Sequence, residues 1–188
     1  MKKIFALFVL ISIALMGCDK FAQTEKVWKV KAGENFCTEY PLPAKATNGS
    51  KFCDFVFHTN ETWIWPDGLS TGGHDNGWSK VRGFSEGHHI NGSSARLVYR
   101  YVNGHPIAGL GVNRDGEWDA VIIDTLEIGG RYWCRISREG DDYVMRMNGK
   151  EVRLPAGKEH IQGYYLRPYV GGNYTLDHDW LLLIEDKF

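Results

Sequence analysis

Tyr143-Val144-Met145-Arg146-Met147-Asn148-Gly149-Lys150-Glu151-Val152-Arg153-Leu154 reads as two short strands joined at Asn148-Gly149. Both central residues of a type I′ hairpin turn need positive φ, and Asn followed by Gly accepts that conformation at the least cost. Outward from this hairpin, apolar alternation with period two recurs between turn signals, with further turns marked at Asn103-Gly104 and Asp115-Gly116, and no long stretch keeps a 3.6-residue period. The spacing predicts strands over Phe52 to His58, Thr62 to Trp65, Ala95 to Val102, Ile107 to Val112, Trp118 to Leu126, Arg131 to Ser137, Tyr143 to Met147, Glu151 to Leu154, Gly163 to Val170 and Trp180 to Glu185. An all-β antiparallel sandwich follows. The interval from Pro66 to Asn91, rich in Gly, His, Asp and Ser, is expected as a long surface loop beside any site.

Composition agrees. The 188 residues include 22 Gly, 7 Trp and 9 Tyr, which suit turns and strands. A formal net charge of -1 gives no overall pull toward nucleic acid, so none is expected as a partner.

At the N-terminus, Lys2 and Lys3 precede an apolar run, Ile4 to Leu15, and Leu15-Met16-Gly17-Cys18 closes it, the arrangement of a cleaved export signal. The run is too short for a comfortable membrane span. These residues resemble the lipobox of bacterial lipoproteins. That implies cleavage before Cys18, acyl chains such as palmitate on Cys18, and a chain held at the cell envelope through that anchor, facing the periplasm or exterior; several chains anchor stably where one is marginal. An ordinary signal peptide with an incidental cysteine is the alternative. The expected organisation is a leader at 1–17, a lipidated terminus and tether at 18–26, and one domain at 27–188, as a monomer.

With Cys18 lipidated, Cys37, Cys53 and Cys134 remain in an oxidising setting. Cys37 and Cys53 flank the Pro41 to Ser50 loop, so a bridge between them would staple an N-terminal hairpin. Cys134, on one side of its strand with Tyr132 and Ile136, is expected as a buried free thiol. No Cys or His spacing suits zinc.

From about Trp63 onward the chain resembles the concanavalin A-like lectin and glucanase group, whose domains are jelly-roll sandwiches. The resemblance is carried by Ala95-Arg96-Leu97-Val98-Tyr99-Arg100-Tyr101, by the Asn148-Gly149 hairpin, and by Gly163-Tyr164-Tyr165-Leu166-Arg167-Pro168-Tyr169-Val170-Gly171-Gly172 followed by His178-Asp179. It implies a concave face that holds or cuts glycans. Family 16 glycoside hydrolases of this fold carry Glu-x-Asp-x-Glu on one strand. Here Glu117-Trp118-Asp119-Ala120-Val121-Ile122 begins that pattern and then lacks the second acid. Polysaccharide lyases of the fold use an Arg that neutralises the uronate, a His or Gln beside it, and a Tyr that moves protons. Tyr165 to Tyr174 is loosely similar to the Tyr-Phe-Lys-Ala-Gly-x-Tyr segment of alginate lyases, with Arg167 for the lysine, while Arg-x-Glu-Leu and Gln-Ile-His are missing. Lyase candidates are Arg100, His160, Tyr165 and Arg167, with Arg96, Tyr169 and Tyr174 of the same chemical types.

Binding asks less: rings that stack on C–H faces and polar groups for hydroxyls. Trp133 and Arg135 share the side of their strand opposite Cys134, Tyr165, Arg167 and Tyr169 share another, and Trp118 and Trp65 complete the expected ligand set. His74, His88 and His89 sit in the long loop with Asp75. Asp177 and Asp179 are the candidate ligands should the fold hold a structural calcium; no other cofactor is expected. The leading expectation is a lipid-anchored glycan-binding sandwich. A polysaccharide lyase comes second, and an envelope protein that binds proteins without sugar third.

Overall fold

The computed structural model describes residues 25–39, 43–66, 77–171 and 174–187. The leader, Cys18, most of the tether, His74 and Asp75 lie outside the described residues. The described residues form eleven strands: β1 Lys26–Val30, β2 Phe52–His58, β3 Ser79–Glu86, β4 Ser93–Val102, β5 His105–Arg114, β6 Glu117–Thr125, β7 Arg131–Glu139, β8 Asp142–Met147, β9 Lys150–Pro155, β10 Tyr165–Leu166 and β11 Trp180–Asp186. They pair antiparallel in two sheets, ordered β1-β11-β2-β7-β8-β9 and β10-β3-β4-β5-β6. The fold is an all-β jelly-roll sandwich of the concanavalin A-like type.

The turns form as their residues dictate. Asn148 and Gly149 have φ of 46° and 83°, and Asn103-Gly104 and Asp115-Gly116 are positive at both positions as well. Alternation then sends Phe55, Phe57, Ile136 and Met145 from one sheet and Leu97, Tyr99 and Leu110 from the other into a shared core. Trp63, Trp65, Tyr99 and Trp180 close one end, with Trp65 edge-on to Tyr99 at 4.8 Å and to Trp180 at 5.3 Å between ring centroids.

Four expectations change. Thr62 to Trp65 is no strand; Glu61–Trp63 is a 3-10 turn, because Asn60 Oδ1 accepts from the Thr62 N–H at 3.0 Å and caps it. The long loop contains β3, whose inward side chains include Arg82 and Glu86. Gly163 to Val170 shrinks to β10 with isolated bridges at Tyr164 and Tyr169, since Pro168 cannot extend a ladder. Cys37 and Cys53 form no disulfide. Cys37 bridges Val30 beside β1 and Cys53 lies inside β2, and both are buried free thiols, as is Cys134. Burial pushes all three thiols above their ordinary range, which leaves them poor nucleophiles.

Candidate functional site

On the outer face of the five-stranded sheet, the side chains that alternation turns away from the core mix polar and aromatic groups and glycine with the aliphatic Val98 and Ile107. β4 supplies Ser94, Arg96, Val98 and Arg100, and β5 places Asn113, Gly111, Gly109 and Ile107 opposite them in register. The two glycines decide the shape. A Cβ on Gly111 would stand 2.5 Å from Trp118 Cη2 and 2.6 Å from Val98 Cγ1, and one on Gly109 would stand 3.3 Å from Trp78 Cη2. Trp118 from β6 and Trp78, just before β3, therefore reach in over β5 from opposite sides and pave a floor around Val98 that no larger residue at 109 or 111 would admit.

Cations surround this floor. Arg96 is 6% exposed, and its Nη2 donates to Asn113 Oδ1 at 2.7 Å, to the His89 carbonyl at 3.0 Å and to Ser94 Oγ. Every one of those partners is neutral, and Nε of Arg96 is buried without any. A desolvated guanidinium with no carboxylate among the described residues to answer it is costly to keep, and here burial pulls its pKa down to about 10. Lys80 Nζ donates to the Trp78 carbonyl at 2.8 Å and lies 5.2 Å from the Trp118 ring, which Arg96 approaches at 5.6 Å. Burial, then the charge of Arg96, lowers the Lys80 amine to about 7.

Beside Arg96, the loop after β3 brings His89 Nδ1 within 2.5 Å of the Tyr164 hydroxyl. Burial first, then Arg96 and His88, hold the His89 imidazole down to about 4, so it is neutral at pH 7 and Nδ1 is free to accept from the phenol. Arg96, His89 and Tyr164 thus combine an anion-binding group with a proton-transferring pair.

Of the residues expected from sequence, Arg96, Arg100, Trp118 and Tyr169 come to this face, Tyr169 bridging Lys80 and packing on Phe36 at 5.0 Å. The others do not. Tyr165 faces Phe84 inside the sandwich, and Trp65, 2% exposed, is core, so neither is open to a ligand. Arg167 donates to the carbonyls of Glu39 and Pro43, and His160 is exposed, its ring against Gly87. Trp133 and Arg135 lie on the outer face of the other sheet, where Trp133 Nε1 donates to Asp54 Oδ1 at 2.6 Å and Arg135 pairs with Asp54 at 3.6 Å. Asp179 accepts from Lys29 and from the Ala32 N–H, and Asp177 contacts His178 at 2.7 Å. Asp179 is thus engaged by Lys29 and Ala32, and among the described residues no three candidate metal ligands come together. Tyr164 is the residue the sequence reading missed; His89 stood out there only as one of the loop histidines with a conceivable metal or acid/base role. The parity of β10 was the signal for Tyr164: if Tyr165 packs in the core, its neighbour faces out.

No family model and no curated protein matches the chain. Solved structures do. Alginate lyase A1-II′ of polysaccharide lyase family 7 superposes with a TM-score of 0.53 at 11% identity, over 88% of this chain and 78% of that one. The alginate lyase AlyA1 from Zobellia galactanivorans gives 0.51 at 12%, over 88% and 76%. The likeness is one of fold. An A1-II′ variant in complex with a GGG product gives 0.52 at 11%, over 87% and 78%. The chain spans 63% of the alginate lyase from Alteromonas sp.272.

Proposed function

We propose that the outer face of the five-stranded sheet binds an acidic polysaccharide. The observation that carries this is Arg96: a nearly buried guanidinium, held among the described residues by neutral partners only, beside the half-exposed Trp118 indole, on which a sugar ring can lie. A uronate carboxylate would supply the missing charge partner, and the C–H face of its ring would cover Trp118.

The His89–Tyr164 pair favours a second reading, cleavage of the same ligand by β-elimination. The Tyr164 oxygen would take the hydrogen on the carbon α to the carboxylate as its own proton moves to His89 Nδ1. The electron pair left behind forms a carbon–carbon double bond, the glycosidic C–O bond on the adjacent carbon breaks, the leaving oxygen takes the proton from Tyr164, and His89 returns its proton to the Tyr164 oxygen. Arg96 would neutralise the carboxylate and so acidify that hydrogen. The alginate lyases that share the fold support this reading at the level of the fold alone.

Incubation with neutral and uronic-acid polysaccharides, reading gel retardation together with the absorbance of unsaturated products, separates the two. Retardation by uronic-acid polymers alone, lost in Arg96→Gln, is expected for binding, and product formation for the lyase. Silence in both would sink the proposal in favour of a protein partner. We also propose that the domain is a monomer from residue 27 onward, exported and anchored through Cys18. Cys18→Ala should release it from the membrane fraction of a bacterial host.

A further inference from the structure

Arg100 is the outward residue of β4 four positions beyond Arg96. Its guanidinium carbon lies 4.4 Å from the centroid of the Trp78 ring, and its Nε is buried with no partner. Among the described residues it makes no hydrogen bond and no ion pair. Trp78 is itself fixed: only 3% exposed, with its Cη2 edge against Gly109 and its carbonyl held by Lys80. An arginine laid on a rigid indole has lost much of its rotamer freedom already, while its terminal N–H groups remain unused. Preorganised, unanswered donors are what a carboxylate binds most strongly in a fork-to-fork pair.

The two arginines stand at opposite ends of the indole floor. Four residues of antiparallel strand set their Cα atoms about 14 Å apart, a span longer than one sugar residue. Between them the half-exposed Trp118 ring overlies buried Val98 and the buried Trp78 edge, with Lys80 opposite Val98 on β3. We infer that Arg100 is a second anion-binding position, and that the face reads an acidic polymer across two charged groups on either side of the Trp118 ring. This rests on the reading that the face takes an acidic glycan. It adds that affinity depends on chain length.

The test compares a uronic-acid disaccharide with a hexasaccharide by calorimetry on the wild-type chain, on Arg100→Gln and on Arg100→Lys, with a thermal melt of each. The wild type is expected to bind the hexasaccharide more tightly than the disaccharide. Arg100→Gln should weaken the hexasaccharide by about tenfold, some 1.4 kcal/mol, and leave the disaccharide unchanged. Arg100→Lys, which keeps the charge on a side chain that still covers Trp78, should fall between. Equal affinity for both lengths in the wild type overturns the inference, as does a variant whose melt shifts while its hexasaccharide affinity does not; that pattern would make Arg100 a cover for Trp78. A wild type that binds neither oligomer overturns the reading of the face itself.

Discussion

Lys80 shows how one side chain couples stability and binding with opposite sign. Its amine, ordinarily at 10.5, is lowered to about 7 by burial and then by Arg96. Between those values the unfolded chain holds more protons than the folded one, so this residue makes stability rise as pH increases from about 7 toward 10.5. As pH rises through about 7 the folded face loses a positive charge, and affinity for a polyanion should fall. Lys80→Met removes both effects. Urea midpoints and alginate affinities, measured for wild type and variant across this range, should diverge in opposite directions; parallel stability curves would mean that the amine is not desolvated. His89 runs with the same sign at lower pH. Lowered from 6.5 to about 4, it withholds a proton that the unfolded chain takes up, so its contribution to stability declines as pH falls from about 6.5 to about 4. Any elimination that uses it should keep its rate until the pH nears 4, and a rate already halved at pH 6 would exclude neutral His89 as the acceptor.

At the scale of elements, the hairpins were legible because their signals are local: Asn-Gly and Asp-Gly pairs demand positive φ whatever surrounds them. β3 was not. Its inward positions Arg82 and Glu86 are charged, its outward positions Gly83 and Ser85 are small, and a bulge at Val81 shifts Val81 and Phe84 out of simple alternation, so the segment reads as loop until the partners of its charges are known. The candidate site failed in sequence for the same reason. Trp118 and Arg100 were visible as residue types, but the floor exists only because β5 carries glycine at the two positions where indoles from β6 and from the start of β3 must pass. Gly111→Val tests that dependence. It should expel Trp118 from the floor and weaken glycan binding at least tenfold, at a folding cost of about 1–3 kcal/mol for overpacking. Gly33→Val, at a turn with nothing within 4 Å of the added Cβ, controls for folding cost alone. Equal binding by both variants would show that the Trp118 seat is not part of the site.

At the scale of the whole molecule, two ion pairs among the described residues tie the sheets together across the core. Arg82 Nε and Nη2 donate to the two oxygens of Asp186 at 2.9 and 2.6 Å, and Arg138 Nη1 donates to Glu86 Oε2 at 2.8 Å, an oxygen that also accepts from the Tyr143 hydroxyl at 2.5 Å. The other oxygen of Glu86 is buried with no partner. A pair of this kind is a poor source of net stability but an expensive one to break, because removing either member strands the other charge away from water. Glu86→Leu alone should therefore cost about 3–5 kcal/mol in urea denaturation, while Glu86→Leu with Arg138→Met should recover most of that loss. Function should follow a different course. Glu86 is the last residue of β3, and the next turn carries His89 to Tyr164 and its carbonyl to Arg96. If the pair fixes that turn, the double variant will fold yet bind or cleave acidic glycan poorly, whereas a double variant with full activity would assign the pair to joining the sheets and nothing more.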